Sequence, residues 1–217
     1  MNILLPPSEG KNYPLHDRTI NWSSLAFAKE LTPSRIALLE THPEIDYSRC
    51  DYASNIYNGV LYRALDYATL TTAAQERANT SIIIISSAFG AVRMSDLIPY
   101  YKFKIEPSMW KQPLKAALVG IDAQLTVDCR SSTYSSGWTP NPSNTVGIRV
   151  YQRAAGELKV VTHQSKVIRG LVARYLLSQS TVPTDPTGLY NLLTKEFECS
   201  LIASVGKLSW FIDVISS

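Results

Sequence analysis

Four short segments each place hydroxyl groups and a cation directly after an apolar run. Asn2–Leu5 leads into Pro6-Pro7-Ser8-Glu9-Gly10-Lys11. Residues 81–86 lead into Ser87-Ala88-Phe89-Gly90-Ala91-Val92-Arg93. Residues 125–129 lead into Arg130-Ser131-Ser132-Thr133-Tyr134. Residues 157–162 lead into His163-Gln164-Ser165-Lys166, with Arg169-Gly170 one turn further. Cations, hydroxyls and loop N–H groups all donate to oxyanions, so such loops suit phosphate. In open α/β sheets, ligands bind outside the carboxyl ends of the strands. If the four runs are neighbouring strands of one sense, Lys11, Arg93, Arg130 and Lys166 converge on one cleft.

The same loops hold the groups an enzyme would use. Ser8, Glu9, Asp128 and His163 are the acid, base or nucleophile candidates. Enzyme signatures are otherwise sparse. There is no GxSxG elbow, no GxGxxG opening a helix, and no P-loop, because Ser8-Glu9-Gly10-Lys11 lacks the first glycine and its spacer. Cys129 sits in an apolar run, where thiols serve as packing. Each motif alone also has a plain explanation. Asp128 and Arg130 suit a local ion pair. Lys166 and Arg169 suit a solvated helix face, and His163 a satisfied histidine at a strand end. Tyr57, Tyr62, Tyr100, Tyr101 and Trp110 fit a core as well as a base-stacking surface. Repetition of one pattern after four strands is what favours a site.

Those strands need a scaffold. Asn2–Leu5 and residues 81–86 and 125–129 read as buried strands. Residues 146–153 and 157–162 flank Ala154-Ala155-Gly156 and read as a hairpin. Residues 207–214 add a final strand. Helical patterns cover 22–30, 34–40, 58–67, 72–78, 109–118, 165–178 and 187–197, with Thr32-Pro33 and Thr71 offering helix starts. Residues 131–144 read as a long loop. Leu114 to Asp122 reads as a helix whose C-cap is Gly120. The expected fold is mixed α/β (α+β), one domain over 1–217. A central mixed sheet is flanked by helices, with the cationic cleft at the strand carboxyl ends.

Composition narrows the class. The chain has 217 residues with 45% hydrophobic and 18% charged side chains, which is globular. The longest apolar run, residues 82–85, is far below the ~20 residues of a membrane span. The first residues lack a basic n-region and a cleavage site, so no signal peptide is expected. Cys50, Cys129 and Cys199 are too few and too scattered for a disulfide framework, which fits a reducing cytoplasm. With His16, His42 and His163 also far apart, no metal site and no cofactor is expected. Net charge is +3, but residues 1–100 carry 8 basic and 10 acidic side chains and the remainder 13 and 8. The basic second part permits a polyanion partner.

Several ordered motifs together resemble the YaaA peroxide-stress family. Leu5-Pro6-Pro7-Ser8-Glu9-Gly10-Lys11 resembles its N-terminal signature, and Tyr57-Asn58-Gly59-Val60-Leu61-Tyr62 its Tyr-x-Gly-Val-x-Tyr segment. Residues 87–93, with Asp96, Ile98-Pro99 and Tyr101, resemble its most specific motif. Asp128-Cys129-Arg130-Ser131-Ser132, with Tyr134, Trp138 and the Lys166/Arg169-Gly170 segment, extends the likeness to residue 170. Met94 stands where a proline is usual, and Lys102 where arginine is common, which keeps charge but loses the bidentate fork. The resemblance implies a cytoplasmic stress protein associated with limiting free iron. It also implies binding of duplex or distorted DNA through a positive cleft, and a helix-hairpin-helix-like element. On that reading Ser8, Lys11, Arg93, Lys102, Arg130, Ser132, Lys166 and Arg169 contact phosphates. Tyr57, Asn58, Phe89, Gly90, Trp110 and Tyr134 shape the cleft, and sequence specificity is low. Two other classes stay open. One is an enzyme on a nucleotide, nucleobase or DNA in the same cleft. The other is a partner-binding protein whose cations only form ion pairs.

Overall fold

Isoleucines at 82, 83, 84 and 85 leave no polar face, so this run must be buried on both sides. It forms β3 (Ile82–Ser86), beside β1 (Asn2–Leu5) and one strand in from the edge of an eight-stranded sheet. The computed structural model describes residues 1–154, 157–206 and 209–216. The other strands of this sheet are β4 (Gly90–Val92), β6 (Thr126–Asp128), β7 (Thr145–Ala154), β8 (Glu157–Val160), β9 (Cys199–Ile202) and β10 (Trp210–Ser216). A separate two-stranded ribbon pairs β2 (Cys50–Tyr52) with β5 (Leu97–Pro99). The main order is β4-β3-β1-β6-β7-β10-β9, with β8 also on β7. From β3 to β10 the neighbours are parallel, while β4, β8 and β9 attach antiparallel. β10 lies along β7 from Val146 to Gln152, so β6 and β8 share the opposite edge of β7.

Alternation along the central strands builds two helical layers. Ile3, Leu5, Ile82, Ile84 and Val127 face the larger core. That core includes side chains of α3 (Val60–Leu65), α4 (Thr72–Ser81) and α7 (Thr162–Ser178). Leu4, Ile83 and Ile85 face a second core built on α1 (Ala28–Glu40) and α5 (Pro107–Ala117). Short α2 (Ala53–Ile56) and α6 (Ser132–Ser135) and the later α8 (Pro186–Leu193) complete the helices described. The fold is mixed α/β with a central mixed sheet flanked by helices, as expected. No helix among the described residues is long and apolar enough to cross a membrane.

Several boundaries differ from the sequence reading. The patterns at 22–30 and 34–40 give a 3-10 turn, Trp22–Ser24, and one helix, α1, that runs through Pro33. Thr71 caps α4 as expected, accepting from the Ala74 N–H at 3.3 Å. Residues 131–144 hold α6 and a 3-10 turn rather than only loop. Gly120 is not a left-handed C-cap: α5 stops at Ala117, and Gly120 lies in a 3-10 turn, Val119–Ala123, leading to β6. The hairpin of β7 and β8 is present, and positions 155 and 156 of its turn lie outside the described residues. The final strand starts at Trp210, while residues 207 and 208 of its expected range also lie outside them.

Candidate functional site

The carboxyl ends of β3, β1 and β6 are adjacent and parallel, as the convergence argument requires. β8 runs the opposite way, yet it also delivers its end to this edge. Val160 pairs with Tyr151 while Asp128 pairs with Gly147, so β8 approaches the end of β6 along the same flank of β7. α7 therefore starts just past β6. There Arg169 Nε donates to the Ile148 carbonyl at 3.1 Å.

The loop after β1 is clamped to the segment before α3. Asn12 N–H donates to the Ile56 carbonyl at 2.8 Å, Asn58 N–H to the Gly10 carbonyl at 3.3 Å, and Lys11 bridges Tyr57. This approach needs glycine on both sides. A Cβ on Gly10 would meet Asn58 Oδ1 at 2.6 Å, and one on Gly59 would meet Ser8 Cβ at 2.6 Å. The clamp fixes Lys11. Its ammonium donates to the Ser8 carbonyl at 2.7 Å and lies 4.3 Å from the Tyr101 ring centre and 5.8 Å from that of Tyr57. Among the described residues no carboxylate forms an ion pair with it. Burial lowers its pKa to about 8, against a weaker opposing pull from Glu9.

Around Lys11 stands a group of tyrosines. The Tyr57 and Tyr101 hydroxyls bond at 2.7 Å, and Tyr101 bonds Ser86 Oγ at 2.8 Å. Ser86 Oγ accepts the N–H groups of Ala88 and Phe89, so its own proton points to Tyr101. Tyr62 donates to the Pro6 carbonyl at 2.7 Å. Tyr134 lies within electrostatic range of Glu9, Tyr62 and Tyr101. Burial raises the pKa of all four, that of Tyr101 to about 12, so they stay neutral hydroxyls. Lys11 opens into a groove of ≈ 1060 Å³ whose walls include Asn12, Tyr57, Asn58, Arg63 and Tyr67. Tyr13 is at its lip, 71% exposed and stacked on Tyr100 with centroids 4.0 Å apart, and Leu15 beside it is 83% exposed.

Other expected site residues are placed elsewhere. Arg93 is not at the carboxyl edge. Residues 87–89 turn β3 back into antiparallel β4, which carries Arg93 to the amino end of β3. There its guanidinium donates to the Thr80 and Ile82 carbonyls at 2.5 and 3.0 Å. Arg130 is at the edge, but its side chain is fully buried. It holds Asp128 in a two-pronged pair at 2.9 and 2.7 Å and donates to the Tyr134 and Trp138 carbonyls. It anchors the loop to Trp138 rather than facing a ligand, and it leaves Asp128 no free role as acid or base. Phe89 and Trp110 are core residues, Trp110 donating to the Ser87 carbonyl at 2.9 Å and packing on Gly90, where φ is +69°. Lys102, His163 and Lys166 are exposed and do not line the groove, and nor does Arg169. Glu9 is exposed and Ser8 half-buried, with the Ser8 hydroxyl bonded to the Gly10 carbonyl. The Ser132 side chain lies outside the described residues. Cys129 is fully buried and its thiol is pushed up to about 12, which suits packing. Tyr13, Ser86 and Arg63 were not singled out from sequence. Only Tyr13 carried a signal, as an aromatic two residues past Lys11.

Fold and site define a mixed α/β protein whose strand ends present a lysine–tyrosine groove. The model of the family described as "Peroxide stress protein YaaA" matches residues 1–200. The chain belongs to that family. It is similar to a UPF0246 protein of Streptomyces coelicolor, 30% identical over 99% of this chain and 98% of the relative. A UPF0246 protein of Corynebacterium glutamicum is 31% identical over 81% and 84%, and one of Corynebacterium efficiens 33% over 86% and 88%.

Proposed function

We propose that this peroxide-stress protein binds DNA, and that the Lys11 groove receives a nucleotide displaced from the stack. The supporting observation is the juxtaposition of one half-buried cation with the exposed ring of Tyr13, stacked on Tyr100, at the lip of the same groove. A cation without a carboxylate partner suits a phosphate, and the exposed Tyr13 ring suits an unstacked base. Lys102, Lys166 and Arg169 then serve as flanking phosphate contacts, so the protein reads charge and shape with little base specificity. For iron we propose an indirect route, through occupancy of DNA. Among the described residues no three His, Cys, Asp or Glu side chains are grouped to hold a metal.

Fluorescence anisotropy with paired and bubbled DNA across several salt concentrations tests this. Bubbled DNA should bind more tightly. Lys11→Ala should weaken binding and reduce the salt slope by about one unit. Tyr13→Ala should cost about 1–3 kcal/mol on the bubble and little on the paired duplex. Equal affinity of all three proteins for both DNAs would defeat the proposal.

A further inference from the structure

Lys11 is held as a nucleophilic amine is held, which a simple phosphate contact does not require. Its nitrogen is fixed by the Ser8 carbonyl, backed by two tyrosine rings, and open to the groove. This position withdraws water from the amine and places no ion-pair carboxylate on it among the described residues. Desolvation of this kind activates amines toward carbonyl carbon. The two rings beside the amine stay neutral, because Tyr57 and Tyr101 are buried and their hydroxyls bond each other.

We propose that Lys11 forms an imine with the aldehyde of an abasic site in DNA. This rests on the DNA-binding reading above and goes beyond it, because binding alone needs no covalent step. Peroxide damage strips bases from DNA, and the sugar left behind opens to a C1′ aldehyde. The neutral Lys11 nitrogen attacks C1′, a C–N bond forms, and the carbonyl π electrons pass to oxygen, which takes up a proton. The carbinolamine then loses water and leaves a protonated imine. Loss of the C2′ proton to water lets the 3′ phosphate depart with the C–O electron pair, which nicks the strand. Hydrolysis of the imine returns Lys11.

The full-length protein is mixed with a duplex carrying one natural abasic site, and sodium cyanoborohydride is added to reduce any imine to a stable amine. Binding to a duplex with the tetrahydrofuran analogue, which has no aldehyde, is measured in parallel by anisotropy. The expected result is a covalent protein–DNA adduct that peptide mass spectrometry maps to Lys11. It should fall at least about tenfold in Lys11→Arg, a variant that keeps the charge. Trapping should rise with pH and level off above about 8, not near the ordinary lysine value of 10.5. Binding of the tetrahydrofuran duplex without an adduct would overturn the imine and leave DNA binding intact. An adduct mapped to Lys102 or Lys166, or undiminished in Lys11→Arg, would also overturn it. Absence of both binding and adduct would overturn both readings.

Discussion

Lys11 is held at a cost to the fold, and that cost has a sign. Its folded pKa, about 8, is below the ordinary 10.5, so folding disfavours its charged form. The penalty is absent above 10.5, develops as pH falls from 10.5 to about 8, and is complete below that. Lys11→Met should therefore melt higher than wild type at neutral pH, with the gap closing as pH approaches 10.5. Because the amine still meets solvent, a gain of about 1 kcal/mol is expected, read by thermal melts across pH. Arg130 carries the opposite signature. Arg130→Met strands Asp128 and frees the loop to Trp138, and should cost about 3–5 kcal/mol in denaturant titrations. Arg93→Ala should lower the melting temperature while leaving DNA affinity unchanged in the anisotropy assay, because its guanidinium is spent on the Thr80 and Ile82 carbonyls at the end of α4 and does not line the groove. At this scale the sequence shows which loops carry cations, and Lys11 was legible from its place after β1. The turn at residues 87–89 was not, because a run of small residues after a strand reads alike whether the chain continues or doubles back. The Asp128–Arg130 pair was legible as a local alternative, but the full burial of Arg130 and its bonds to the Tyr134 and Trp138 carbonyls were not, because residue type alone does not report burial.

At the scale of elements, α3 and α7 touch most closely at Gly170. A methyl there would strike the Leu61 carbonyl oxygen and come within 2.8 Å of Ala64 Cβ. Alanine is the better helix former by roughly 1 kcal/mol, but backbone oxygen cannot step aside. Gly170→Ala should thus destabilise by about 1–3 kcal/mol net. It should also loosen the start of α3, seen as faster amide exchange at 60–65. A null effect on the melting temperature would show that the helices can separate cheaply. Elements were legible where a continuous apolar run or a cap marked them, as in β1, β3 and α4. Strands β2, β4, β5 and β9, of three or four residues each, were not. Such pieces hold too little periodicity to signal, and their partners fix them. Pro33 misled because prolines usually open helices, while here packing against α5 carries the helix past a missing N–H.

Across the whole molecule, the parallel strands gather three loop ends at one edge, and only the fold decides which of their side chains face outward. Charge balance along the chain pointed to the basic second part, whereas the groove lies in the first hundred residues. The groove itself depends on residues from 11 to 68, with Met94, meeting across the clamp of Gly10 and Gly59, a juxtaposition no local pattern encodes. The strand order has a consequence for synthesis. β9 leaves the ribosome before β10, yet β10 is the strand that joins β9 to β7. Until residues 210–216 emerge, β9 has no partner in the sheet and β7 shows an open edge of apolar, β-branched residues. A nascent chain stalled between these strands would offer a long hydrogen-bonding template to its neighbours on a polysome. Chaperone engagement should peak in that window and fall once the last strand slides into place.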